Sequence, residues 1–191
     1  LNQEYGWQVT FEEAPLVYAN DMVDMTRNFS VGIRAYDPRG GALTFSYVLG
    51  ADSRPTNARA VVQAAIDEHH RIGFPGKYEV KMEGTYLHIV PVGRLDRGGV
   101  WEQIASPLDT TVSVNGEGRH PHAVLTEMFS RVERDTGYSV VFGLTPFVNG
   151  MQPLILQEFR KVPARTVLRG IIQATGNRRV WYMRYWLKRN R

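Results

Sequence analysis

The sequence predicts an α+β protein made of two small β-α-β-β-α-β units, each with two helices packed on short mixed sheets. Three observations predict it. Apolar residues recur at helical spacing in segments that a proline opens and a glycine closes, and β-branched, aromatic runs alternate with them. One helix is nearly spelled twice, as "TNARAVVQAAIDEHH" (56–70) and "VPARTVLRGIIQATG" (162–176). The expected organisation is a first unit over residues 1–92, a linker over 93–109 and a second unit over 110–191.

The second unit has the cleaner pattern. "TTVSV" (110–114) alternates as a strand, and "NGEGRH" (115–120) is a loop. Pro121 suits a first helical position, where its missing N–H costs nothing. Val124, Leu125, Met128, Phe129 and Val132 then form one apolar stripe, and Gly137 supplies the stop. "YSVVF" (138–142) is a strand, "GLTPFVNGMQP" (143–153) breaks it, and "LILQEF" (154–159) resumes extended structure. The next helix starts near Pro163, buries Val167, Leu168, Ile171 and Ile172, and ends at Gly176. Burying those four side chains contributes about 6–12 kcal/mol as an upper estimate. A small domain is stable by only about 5–15 kcal/mol. This helix is therefore core. "RRVWYMRYWLK" (178–188) closes the unit as a long strand.

The first unit is expected to repeat that order. "WQVTFEE" (7–13) is a strand and "PLVYANDMVDMTRN" (15–28) a helix through Tyr18, Met22 and Met25. "FSVGIRAY" (29–36), the turn "DPRGG" and "ALTFSYVL" (42–49) form a strand pair. "NARAVVQAAIDEHHRIG" (57–73) is a helix that Thr56 or Asn57 can cap. "KYEVKM" and "TYLHIV" make a closing hairpin, with Glu83 and Gly84 as its turn. Ala58-Arg59, Val61 and Ile66 align with Ala164-Arg165, Val167 and Ile172 at one common offset, which Pro15 and Pro121 share. An internal duplication is the expectation.

Composition narrows the function. Hydrophobic residues make up 43% of the 191-residue chain and charged residues 22%, as in ordinary globular proteins. No apolar run is long enough to span a bilayer. The chain begins at Leu1, so a processed or trimmed product with its signal peptide out of view is expected. Cysteine is absent, which excludes disulfides, thiolate metal sites and a cysteine nucleophile. The net charge of +4 comes from the final strand and its end, "RRVWYMRYWLKRNR", which holds six basic residues and no acidic one. A general polyanion binder spreads its charge over a face instead.

No nucleophile elbow, P-loop or dinucleotide fingerprint is present, and no catalytic residue or cofactor is assigned. His120 and His122, with Glu117 near, are weak candidates for a metal, because no third ligand follows at a metal-like spacing. Asp67 and His70 read as a solvated helix end with a favourable cation. The acidic pairs Glu12–Glu13 and Asp21–Asp24 read as solvated faces. "NFS" (28–30) fits a glycosylation sequon.

The final strand is the candidate site. Alternation puts Trp181, Met183, Tyr185 and Leu187 on one face, and Tyr182, Arg184, Trp186 and Lys188 on the other. With the first face as core, the second presents aromatics interleaved with cations, a composition suited to a partner surface. The alternative is a nucleic-acid-binding α/β domain that stacks bases on this basic aromatic strand. Against it, the units carry no spread positive charge, no RNP-like strand motif and no GXXG loop.

Residues "TTVSVNGEGRHPHAVLTEMFSRVERDTGYSVVF" and "LILQEFRKVPARTVLRGIIQATGNRRVWY" resemble the short N-terminal domain shared by secretins and signal-transducing TonB-dependent receptors. The features are a helix ending in "TG" before an aromatic-led strand, a strand leucine ahead of "VPA", and "VL" plus "ATG" before the last strand. "GKYEVKMEGTYLHIVP" is similar to the closing hairpin such domains often carry. The match is best over 110–187 and weaker over 5–92. The resemblance implies a periplasmic, non-enzymatic module of two small α/β units that binds other proteins, its partner an envelope protein or another copy of itself. No secretin pore, β-barrel, plug domain or TonB-box-like segment stands in these residues.

Overall fold

The computed structural model of the protein describes residues 5–26, 36–51, 55, 57–142, 154–174 and 181–187. Outside them lie most of the expected strand 29–36 with its sequon, the loop 143–153, Thr56, Gly176 and Lys188. The fold is α+β. It divides into two compact units, residues 1–104 and 105–191. No helix among the described residues is long and apolar enough to cross a membrane.

In the first unit, β1 (Gln8–Glu12) runs parallel to β5 (Tyr86–Leu95), and β4 (Lys77–Glu83) pairs antiparallel with β5 on its other side. Helix α1 (Ala58–Ile72) packs across them. Asn57 caps it by accepting the Ala60 N–H, and Gly73 ends it at φ +80°. Val62 and Ile66 meet Ala14, Tyr78, Val80 and Leu87 in the core. The β4–β5 turn falls one residue later than expected. Gly84 and Thr85 form it, with Glu83 opposite Tyr86, because Gly84 at φ +61° supplies the positive dihedral that a two-residue hairpin needs at its first turn position.

Three expectations for this unit are corrected. Residues 15–28 do not form the predicted helix. A short 3-10 turn (Ala19–Asp21) leads into β2 (Met22–Asp24), which pairs antiparallel with β3 (Tyr36–Pro38). Asn, Asp and β-branched residues there weaken a helix, and the strand partner makes the extended form preferable. Residues 42–48 form no strand. The expected linker 93–109 is folded as well. Residues 93–95 complete β5 and pair with β6 (Trp101–Gln103), the turn between them held by Asp96 accepting the Gly98 and Val100 N–H groups.

The second unit runs in the order β7 (Thr111–Asn115), α2 (Pro121–Thr136), β8 (Tyr138–Phe142), β9 (Glu158–Pro163), α3 (Ala164–Ala174), β10 (Tyr182–Leu187). β7 pairs antiparallel with β9, and β8 with β10. The stripe on α2 buries Val124, Leu125, Met128 and Val132, and α3 buries Val167, Leu168, Ile171 and Ile172. Pro121 opens α2 and Gly137, at φ +75°, closes it. "LILQEF" is extended, but its regular pairing starts only at Glu158; Ile155 forms an isolated bridge to Arg119.

Candidate functional site

β10 is fixed by its buried face. Trp181, Met183 and Tyr185 point into the core, so the strand's alternation turns Tyr182 and Arg184 the other way. Tyr182 is 45% exposed and Arg184 is half-buried. The Arg184 guanidinium donates to the Tyr182 hydroxyl from Nη2 at 3.1 Å and from Nε at 3.3 Å. It also lies 5.8 Å from the ring centroid. A planar cation held on an aromatic ring is a preorganised surface for an anionic or aromatic group on a partner. Trp186 continues the strand opposite Ser139. Its side chain and Lys188 lie outside the described residues.

His120 and His122 are both exposed, at the start of α2. The His120 side chain makes no cap bond, and the main-chain carbonyl of His120 accepts the Ala123 N–H. Among the described residues no three His, Cys, Asp or Glu side chains are arranged to hold a metal ion.

Two expectations about charged groups are overturned. Glu12 and Glu13 are buried, not solvated, and both are engaged in polar or electrostatic contacts. His70 is exposed, as a helix end should be, but it is not the expected cation. Its Nε2 accepts the Tyr78 N–H at 3.0 Å, which requires the neutral ring. Burial holds its pKa below the usual histidine value and Lys77 adds to this, while Asp67 opposes them. Its neighbour His69 packs edge-on against Phe74 and Tyr78, and burial, with His70 beside it, depresses His69 to about 4.

Sequence reasoning passed over a set of side chains that close strand edges. His70, in the last turn of α1, holds a main-chain N–H of β4, and Thr136 and Glu133, at the end of α2, hold the N–H groups of Tyr138 and Val140 on β8. The signal was available as a polar residue in the last helical turn, two to eight positions before the strand residue that it holds. Arg165 was passed over too. This guanidinium is 5% exposed, and it donates to the Asp109 carboxylate and the Ser106 hydroxyl. It ties the start of α3 to the turn ahead of β7.

No family model matches the chain, and comparison with curated proteins and with solved structures likewise yields no match.

Proposed function

We propose that the chain is a non-enzymatic extracytoplasmic protein-interaction module, similar to the periplasmic N-terminal domains of secretins or of signal-transducing TonB-dependent receptors. The observation that carries this reading is the Tyr182–Arg184 pair, an aromatic ring and guanidinium turned outward on a strand whose other face is core. The β-α-β-β-α-β order of residues 111–187 supports it, since that is the order read from the residues that resemble the family. The helices spend their apolar stripes on the core, which leaves recognition to the strands. The partner is an envelope protein or a second copy of the chain, recognised through an acidic or aromatic group that meets Arg184 and Tyr182.

The test is capture from an envelope extract with the full chain as bait, beside titration of a single-stranded oligonucleotide at low salt. Specific protein capture that is lost in Tyr182→Ser/Arg184→Ser is expected. Oligonucleotide binding with a steep inverse salt dependence, without protein capture, would replace this reading with the nucleic-acid one.

A further inference from the structure

His70 ends α1 and Tyr78 begins β4, and the bond from the Tyr78 N–H to the His70 ring closes the connection over residues 73–76. That connection turns at Gly73 and Gly76, at φ +80° and +84°, where a side chain would be strained. Helix carbonyls hold its start. The Gly73 N–H donates to the His70 carbonyl and the Phe74 N–H to the His69 carbonyl, both at 3.2 Å. The β4 end is held by a titratable ring instead. A main-chain carbonyl accepts at any pH, whereas an imidazole accepts while it is neutral.

The bond also fixes the tautomer. With Nε2 accepting from Tyr78, the proton of the neutral ring sits on Nδ1. A second proton must go to Nε2, where it would face the Tyr78 N–H across 3.0 Å, donor against donor. The ring then has to leave. Asp67 stands one turn back on α1, exposed and bonded to Gln63 through Oδ1, and a helix C-terminus favours an imidazolium. The groups that face the ring are Asp67 and the neutral His69 on α1, and Lys77 and Tyr78 on β4. Of these, Asp67 favours the cation and Lys77 opposes it.

We propose that His70 is an acid-released latch between α1 and β4. Neutral, the ring holds the Tyr78 N–H; protonated, it turns to Asp67 and frees residues 73–77. Burial and Lys77 keep the folded ring's pKa below 6.5, so the latch is closed at neutral pH. Its contribution is fully present above 6.5 and is lost as the pH falls through the lowered value. The opening is local. The Tyr78 hydroxyl accepts the Ala14 N–H at 3.1 Å inside the core, which keeps the ring of Tyr78 in place while its main chain is released. The latch is independent of the Tyr182–Arg184 surface, and either can fail alone.

Nuclear magnetic resonance of the full chain tests the proposal, over pH values from about 7.5 to 5, above the range in which His69 takes up its proton. The neutral His70 ring is expected to carry its proton on Nδ1 and to titrate below 6.5. The Tyr78 amide shift is expected to follow with the same midpoint. Its hydrogen-exchange protection is expected to fall about tenfold or more relative to the Ala60 amide, which Asn57 caps at the other end of α1. His70→Gln supplies an acceptor that does not titrate and is expected to keep Tyr78 protected at every pH. His70→Phe supplies none and is expected to leave it exposed at every pH. Tyr78 protection that persists through the ring's titration, the same loss in His70→Gln, or a neutral ring protonated on Nε2 would overturn the latch. Ala60 protection that falls together with that of Tyr78 would also overturn it, since the helix and not the latch would then be opening.

Discussion

Glu133, in the last turn of α2, accepts the main-chain N–H of Val140 at 2.9 Å, so a helix side chain occupies a hydrogen-bonding position on the edge of β8. Unpaired edge N–H groups recruit other strands, and a carboxylate placed on one denies that position to an incoming chain. Glu133→Ala is expected to lower stability by about 1 kcal/mol and to promote self-association through β8, while Glu133→Gln, which keeps an acceptor, retains most of both properties. Chemical denaturation with light scattering checks this.

Arg165 and Arg59 occupy matching positions in the helix that the sequence nearly repeats, yet Arg59 is exposed and Arg165 is buried on Asp109 and Ser106. Removing the buried guanidinium leaves the half-buried Asp109 carboxylate and the buried Ser106 hydroxyl without it. Arg165→Met is expected to cost about 2–4 kcal/mol, and Arg59→Met less than about 0.5 kcal/mol. Urea denaturation curves of the two variants give the comparison directly.

Gly170 lies inside α3, where helix propensity alone favours alanine by about 1 kcal/mol. A Cβ at this position would stand 2.8 Å and 2.9 Å from ring atoms of Phe159, which is itself buried. Overpacking costs about 1–3 kcal/mol and outweighs the propensity gain. Gly170→Ala is expected to lower the melting temperature, with the helical signal in circular dichroism unchanged.

The His69 ring is neutral in the fold, held to about 4 by burial first and by His70 second, against 6.5 for an unperturbed histidine. Above pH 6.5 folding carries no penalty from this group. As the pH falls from 6.5 towards 4, the unfolded chain takes up a proton that the folded chain refuses, so stability falls. Discounted for the ring's partial exposure, the loss is about 1–2 kcal/mol. Thermal melts from pH 7 to pH 5 are expected to show it, and His69→Phe, which keeps the packing on Phe74 and Tyr78, is expected to flatten the slope.

Much of the second unit was legible because its elements are decided locally. Pro121, the α2 stripe and Gly137 mark one helix, and alternation along Trp181 to Tyr185 sorts β10 into two faces, of which burial makes that of Trp181, Met183 and Tyr185 the core. The first unit's residues 15–28 were not legible. Tyr18, Met22 and Met25 fit a helical period, but Met22–Asp24 are claimed by a strand neighbour at Tyr36–Pro38 that no local pattern announces. Buried polar groups escaped for the same reason. A lone Arg or Glu reads as solvated, and Arg165 is buried because Asp109 meets it from 56 residues upstream. Of the candidate site, the sequence displayed the alternation of Tyr182 and Arg184 but not the guanidinium resting on the ring.

The most direct test of the account places a photo-reactive side chain at position 182 and, as a control, at Arg134 on the exposed side of α2. Illumination in an envelope fraction is expected to give one discrete protein adduct from position 182, absent from position 134 and removed by Arg184→Ser. Equal labelling at both positions, or an adduct that survives Arg184→Ser, would contradict recognition through the face of β10.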